Sequence, residues 1–192
     1  MCGVYHIDED NAELIRVLSS ALCAVPDGKT LKTGDIFPGD AAPVLTANRA
    51  EIMRWGFALD GKKGRIINAK SETALEKPLF RPLVLDFRCA IPASRYYEWE
   101  TLAGGRRKYA ISPENGETVY LAGLYRHIKY GLPEFVVLTR RPENNISFIH
   151  DRMPLLLEND ARDEWLFSEN AALMLENLAD FSAKVVYAPF TA

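Results

Sequence analysis

A cysteine directly after the initiator methionine is the residue with the most reactive chemistry open to it in this 192-residue chain. Initiator methionine is generally removed when the next residue is small, which makes Cys2 residue one. Its α-amine then has a reference pKa of about 7.7–8.0 and its thiol about 8.5, so neutral amine is present near pH 7 without special burial. The two nucleophiles sit on adjacent carbons. An amine condenses with an aldehyde to an imine, and the neighbouring thiolate closes on the same carbon to a five-membered thiazolidine. Such ring closure has a large effective molarity. The other reading of Met1-Cys2-Gly3 is a small, buried residue at the start of the chain.

Three more segments carry side chains suited to that chemistry. Ile67-Asn68-Ala69-Lys70-Ser71-Glu72 puts an amide and a cation at the end of a strand. Ile91-Pro92-Ala93-Ser94-Arg95-Tyr96-Tyr97-Glu98-Trp99 puts Glu98 between aromatic residues. Strict strand alternation places Tyr97 and Trp99 on one face and Tyr96, Glu98 and Glu100 on the other. A carboxylate flanked by rings is in an environment that lifts its pKa toward neutrality, as a proton shuttle requires. His150-Asp151-Arg152-Met153-Pro154 sets one of three histidines before a cation and a strand. Taken singly, Asn68 also reads as a turn residue, Glu98 as a surface strand position and His150 as a capped loop histidine.

The elements that must position these residues are mostly short strands. Runs at Pro43–Thr46, Ile52–Ala58, Arg65–Asn68, Arg88–Ile91, Tyr96–Glu100, Lys108–Ile111, Val119–Tyr125, Phe135–Thr139, Met153–Leu157 and Lys184–Tyr187 are predicted strands. Gly104-Gly105, Asn115-Gly116 and Tyr130-Gly131 are hairpin-turn candidates. Helices are predicted at Asn11–Leu22, after Ser71, at Ala161–Phe167 and at Asn170–Leu178. A strand-dominated middle with helices at its margins is an α+β plan, without the regular alternation of a parallel sheet. The absence of repeats, low-complexity tracts and long linkers leads to one domain over residues 1–192.

Composition narrows the class. With 48% hydrophobic and 26% charged residues the chain has ample material for a core. Its net charge of −3 argues against coating duplex DNA by global electrostatics. A local basic groove is compatible with it. Arg106, Arg107 and Lys108 form one cluster and Arg140 and Arg141 another, with Arg65, Lys70, Arg81, Arg88 and Arg95 between them. As single residues these charges read as a solvated surface. No run approaches a membrane span, and no signal peptide is readable at the N-terminus. Cys2, Cys23 and Cys89 form neither a disulfide framework nor a C-x-x-C metal pattern, so the expectation is a cytoplasmic protein without metal or cofactor.

Met1-Cys2-Gly3, Trp55-Gly56, Asn68-Ala69-Lys70-Ser71-Glu72, Pro92 through Tyr97-Glu98-Trp99, and His150-Asp151-Arg152-Met153-Pro154 together resemble the SRAP family, the SOS-response-associated peptidases. Order and spacing hold from residue 2 to about residue 157. The resemblance implies an abasic-site processing protein that shields single-stranded DNA as a covalent crosslink. The implied fold is a strand-rich α+β domain, a mixed or antiparallel sheet curling into an open barrel with flanking helices and a positively charged groove. By the same resemblance Cys2 supplies amine and thiol, Asn68 orients the Cys2 terminus and the opened sugar, and Glu98 shuttles protons and assists removal of Met1. His150 protonates the sugar ring oxygen, Lys70 and Arg152 hold phosphates, and aromatics such as Trp55 and Tyr96 stack on bases. Cys2, Asn68, Glu98 and His150 are then expected in one cleft, with Lys70 and Arg152 at its edge and Trp55 or Tyr96 near its mouth. The expected form is a monomer. Val4 and Lys70 stand where the family usually has Arg, Arg95 where it has Gly, and Phe57-Ala58-Leu59-Asp60-Gly61 lacks the usual Pro and second Trp.

Three other readings compete. N-terminal-nucleophile glutamine amidotransferases also begin Met-Cys-Gly, and Glu114-Asn115-Gly116-Glu117 is similar to part of their glutamine-binding pattern. No Gly-His-x-Arg segment follows, however, and Asn-Gly is the commonest hairpin turn. A non-catalytic single-stranded nucleic-acid-binding domain would use the arginine clusters alone. Peptidase activity is expected only as self-removal of Met1.

Overall fold

A computed structural model describes residues 2–9, 16, 19, 32–61, 63–114, 118–180 and 184–190. In chain order the strands and helices are β1 (Val4–Ile7), β2 (Gly34–Ile36), β3 (Ala41–Thr46), β4 (Ala50–Trp55), β5 (Phe57–Ala58), β6 (Arg65–Ile66), β7 (Asn68–Lys70), α1 (Ser71–Ala74), α2 (Arg81–Asp86), β8 (Arg88–Ala93), β9 (Arg95–Leu102), β10 (Gly105–Pro113), β11 (Val119–Arg126), β12 (Glu134–Arg140), β13 (Met153–Pro154), β14 (Leu156–Leu157), α3 (Asn159–Phe167), α4 (Ala171–Asp180) and β15 (Val185–Pro189). The helix expected at Asn11–Leu22 lies outside the described residues, apart from Arg16 and Ser19.

Two sheets carry the fold. The first runs β15-β10-β9-β1-β2, every pairing antiparallel. The second has eight strands, and within it β12, β4, β3, β8 and β11 close on themselves through the β12–β11 pairing. The curl expected of a strand-rich α+β chain thus goes to full closure, which removes edges inside the ring. The sheet is mixed, because β4 and β7 both run parallel to β12.

β11 and β12 are buried along nearly their whole length, the pattern of strands covered on both faces. Leu121 and Tyr125 of β11, with Phe135 and Val137 of β12, join the first core, which continues to Tyr5, Tyr96 and Cys2. Tyr120, Ala122 and Leu124, with Val136 and Leu138, join a second core roofed by Trp165, Met174, Leu175 and Leu178 of the helices. A Cβ at Gly123 would stand 2.4 Å from Ile91 and 2.9 Å from Cys89 Sγ, so only glycine fits where β8 and β11 are packed.

Trp55 and Gly56 act on this frame. Trp55 is fully buried, stacks on Phe135 at 6.2 Å and donates from Nε1 to the Ile67 carbonyl at 3.0 Å. Gly56, at φ 95°, adopts a left-handed conformation open to glycine at little steric cost and donates its N–H to Phe135 O at 2.7 Å. The chain leaves β12 there, and β7 takes over the neighbouring place with Asn68 opposite Val137. The predicted Ile52–Ala58 run is therefore two strands broken at Gly56.

The Gly104-Gly105 turn joins β9 to β10, and Tyr130-Gly131 lies in the loop of the β11–β12 hairpin. Asn115-Gly116 lies outside the described residues, between β10 and β11, which belong to different sheets. The strand β1 has no counterpart among the predicted elements. It is held between β2 and β9, with Val4 opposite Tyr97 and Tyr5 opposite Tyr96. No helix of the described residues is long and apolar enough to cross a membrane.

Candidate active site

Because β1 runs antiparallel to β9 with Val4 opposite Tyr97, continuing the register toward the N-terminus carries Cys2 alongside Glu98 and Trp99. The cysteine side chain is fully buried. Its thiol is pushed well above the ordinary value, first by burial and then by the negative charge of Glu98. Asn68, at the start of β7, donates from Nδ2 to the Cys2 carbonyl oxygen at 2.9 Å. This contact spans 66 residues and ties the second sheet to the N-terminal strand of the first. The Asn68 Oδ1 is buried without a hydrogen-bond partner among the described residues.

Glu98 is 2% exposed, and burial pushes its carboxyl up to about 7. The Trp99 backbone N–H draws it down, and the charge of Asp151 raises it. A carboxyl near 7 is half protonated at neutral pH and exchanges protons in either direction. His150 is partly buried, and burial lowers its pKa, with the Arg106 charge acting in the same direction. The Arg152 N–H donates to His150 Nδ1 at 3.0 Å, which in the neutral ring leaves the proton on Nε2. Asp151 Oδ1 lies 2.8 Å from that same Nδ1. Nδ1 cannot accept from the amide and donate to the carboxylate together, so the Asp151 contact becomes a hydrogen bond only when Nδ1 carries a proton, in the other neutral tautomer or in the imidazolium.

The expected cleft group therefore separates into a centre and a rim. Asn68 bonds to Cys2, the Cys2 thiol feels the Glu98 charge, and Glu98 feels the charge of Asp151, which lies beside His150. Lys70, exposed at the end of β7, lies opposite Thr139 on β12, and Arg152 donates to the Thr139 carbonyl. Arg152 is also a two-bond partner of Glu72, at 2.7 and 2.8 Å. Burial raises the Glu72 carboxyl, but the Arg152 hydrogen bonds and charge, together with backbone hydrogen bonds, hold that carboxyl below its usual range. A phosphate at Arg152 would have to compete with Glu72.

Two expectations are corrected. Trp55 and Tyr96 are 0% and 1% exposed, so neither ring offers a face for base stacking at a cleft mouth. Both serve the core, Trp55 because its indole N–H is satisfied only inside the frame. The hydroxyls of Tyr5 and Tyr96 are buried without partners among the described residues, and burial raises both phenols, with a negative charge on the Cys2 sulfur acting in the same direction. Most of the interspersed cations are also structural. Arg65 and Arg126 hold Glu134 at 2.8 and 2.7 Å, Arg88 donates to four backbone carbonyls, Arg95 pairs with Asp8, and Arg140 with Glu143. Tyr109 was missed. It lies directly opposite Glu98 and donates its hydroxyl to Glu100 at 2.9 Å. Counting the register back from the Gly104-Gly105 turn finds it.

The geometry is matched by relatives. The SOS response associated peptidase (SRAP) family model covers residues 1–189. The chain belongs to the SRAP family. It is 37% identical over 135 residues to abasic site processing protein YoaM of Bacillus subtilis (strain 168), covering 65% of this chain and 60% of that protein. It is 36% identical over 186 residues to abasic site processing protein YoqW of the same strain, covering 88% of this chain and 82% of that one. A crystal structure of a protein from Bordetella bronchiseptica shares the fold, with a TM-score of 0.79, 21% identity and 100% of both chains covered.

The places where this SRAP chain departs from its family's usual residues differ in consequence. Val4 is buried beside the site and Arg95 is paired with Asp8. By strand alternation Arg95 lies on the face of β9 opposite Glu98, away from the centre. Lys70 alone of the three is exposed at the rim. Of the Glu114-Asn115-Gly116-Glu117 segment behind the amidotransferase reading, only Glu114 is among the described residues.

Proposed function

We propose that this chain processes abasic sites in single-stranded DNA by covalent capture through Cys2 once Met1 is removed. The observation that carries the reading is the Asn68 hydrogen bond to the Cys2 carbonyl beside a buried Glu98 whose carboxyl titrates at about 7. Membership of the SRAP family and the names of the Bacillus relatives support it.

Removing Met1 frees the Cys2 nitrogen from its amide. The amine adds to the aldehyde carbon of the ring-opened sugar, and the hydroxyl so formed leaves as water, giving an imine. The thiol sulfur then bonds to the same carbon, its proton ends on the former imine nitrogen, and a thiazolidine results. One water is lost overall. Asn68 fixes the Cys2 peptide plane, and its buried Oδ1 accepts from the amine or a sugar hydroxyl. Glu98 takes the proton of the buried thiol and returns one to the departing hydroxyl. His150 serves sugar-ring opening and the reverse reaction. Lys70 and Arg152 receive phosphates, Arg152 by exchange with Glu72. The same Glu98 carboxyl suits removal of Met1. A cytoplasmic monomer without cofactor goes with this reading.

The test is a denaturing gel of protein mixed with an abasic single strand. A heat-stable adduct is expected from Met1-free protein, and none from protein with a residue kept before Cys2. Equal adduct from verified Met1-retaining protein would overturn the reading, and glutaminase activity of the trimmed protein would favour the amidotransferase class. His150→Ala is expected to slow adduct formation and its reversal about 10²-fold, the lower end for a general acid–base group, with single-strand affinity unchanged. A parallel loss of affinity would make His150 a positioning residue.

A further inference from the structure

With Trp55 and Tyr96 buried, the exposed rings on the Glu98 side of the molecule stand elsewhere. Phe148 is 48% exposed and Tyr187 42%. Their ring centroids are 5.3 Å apart, and both meet the buried Tyr109, at 5.8 and 5.9 Å. The strand register shows which face they occupy. Tyr109 lies opposite Glu98 on one side and Pro189 on the other, and Tyr187 opposite Ile111, which itself faces Tyr96. Cross-strand partners share a face, so Glu98, Tyr109 and Tyr187 occupy one face of the first sheet. Phe148 comes from the turn that leads, two residues later, to His150.

That turn is anchored. Ile146 and Ile149 on either side of Phe148 are buried, Ile149 N–H donates to Ile146 O at 3.0 Å, and Asn145 Nδ2 donates to Val185 O at 3.0 Å. Phe148 is thus held outward by a fixed backbone, against a strand that is itself an edge of its sheet. Beside the rings the side chain of Arg107 is 55% exposed, with Nη1 3.4 Å from the Tyr109 hydroxyl. The charge of the neighbouring Arg106 reaches His150. Among the described residues, Glu100 accepts from Tyr109 and lies 4.0 Å from Arg107, and Glu98 is the cross-strand partner of Tyr109.

We propose that Phe148 and Tyr187, braced by Tyr109, form a stacking platform for the unpaired base next to the lesion, with Arg107 against the adjoining phosphate. The inference rests on the function proposed above and adds its base-binding subsite. Anchored rings with an open face lose little entropy on stacking, and a base has a π-face whatever its identity. The cationic border favours a polyanion over an apolar protein partner, and the platform is continuous with the catalytic face through Tyr109 and His150.

The test is reversible binding by fluorescence anisotropy, using the full chain and abasic single strands. The flanking nucleotides either carry bases or are base-free tetrahydrofuran spacers. Phe148→Ala and Tyr187→Ala are each expected to weaken binding of the base-carrying strand about 5- to 140-fold, which is ~1–3 kcal/mol converted at about 1.4 kcal/mol per tenfold. Phe148→Trp should restore it, and the penalty should vanish on the base-free strand. Unchanged affinity, an equal penalty on base-free flanks, or a change in self-association alone would overturn the platform. Crosslinking is scored separately. A wild-type chain that shows the stacking pattern but forms no adduct would retain the platform and end the covalent reading.

Discussion

Cys2→Ala is expected to abolish the heat-stable adduct with abasic DNA while leaving reversible single-strand binding intact. Alanine is small enough for Met1 to be removed, so the variant keeps an α-amine. That amine still forms an imine with an aldehyde, which borohydride traps as a secondary amine. What it lacks is the sulfur that closes the five-membered ring. The difference between a hydrolysable imine and a closed ring is the whole effect, so it is expected to be all-or-none under heat and denaturant. Cys2 is fully buried, and its replacement removes one sulfur from the core without introducing an unpaired polar group. The fold should therefore persist, as a thermal melt will show. An equally heat-stable adduct from Cys2→Ala would assign the chemistry to another nucleophile.

Glu98→Gln is expected to slow crosslinking about 10²–10⁴-fold and, at the same time, to stabilise the protein at neutral and alkaline pH. The two effects have one origin. The carboxyl is raised from 4.5 to about 7, chiefly by burial. Between those values the folded chain holds a proton that the unfolded chain has released. The native state then binds more protons, so stability falls as pH rises through this window and levels off above it. A shift of about 2.5 units corresponds to about 3 kcal/mol lost above pH 7, at ~1.4 kcal/mol per unit. Glutamine carries no charge and avoids that loss. Urea denaturation at pH 5 and pH 8 is the measurement, with the variant gaining mainly at pH 8. Equal stability of the two proteins at both values would mean that Glu98 is solvated, and a shuttle near pH 7 would lose its physical basis.

Cys2, Asn68 and Glu98 were legible as candidates because they lie in short, ordered segments whose chemistry is local. Glu98 between rings follows from side-chain alternation on one strand, whereas Asn68, expected to close an Arg65–Asn68 strand, opens β7 instead. Closure of the ring was not legible, since it depends on β11 pairing with both β8 and β12 and on the parallel approach of β4 and β7 to β12. β1 went unseen for a related reason. Four residues, Val4–Ile7, carry little periodicity, and they form a strand only because β2 and β9 stand on either side.

The aromatic residues show the same limit. Trp55 and Tyr96 sit beside motif residues in sequence, yet burial decides their role, and that is set by contacts with Phe135, Ile67 and Tyr5. Phe148 carries no signal in its own segment. It stands outward because Ile146 and Ile149 turn inward and Asn145 reaches the Val185 carbonyl. The arginines divide likewise. Arg65, Arg88, Arg126 and Arg140 are spent on carboxylates and carbonyls inside the fold, and a count of basic residues cannot separate them from those left at the rim.

The most direct test of covalent capture through the Cys2 terminus is the intact mass of the protein after incubation with an abasic oligonucleotide. The expected product has the mass of the chain without Met1 plus the oligonucleotide, less one water, and it survives heating. Unmodified masses for both components, or an adduct that still contains Met1, would contradict it.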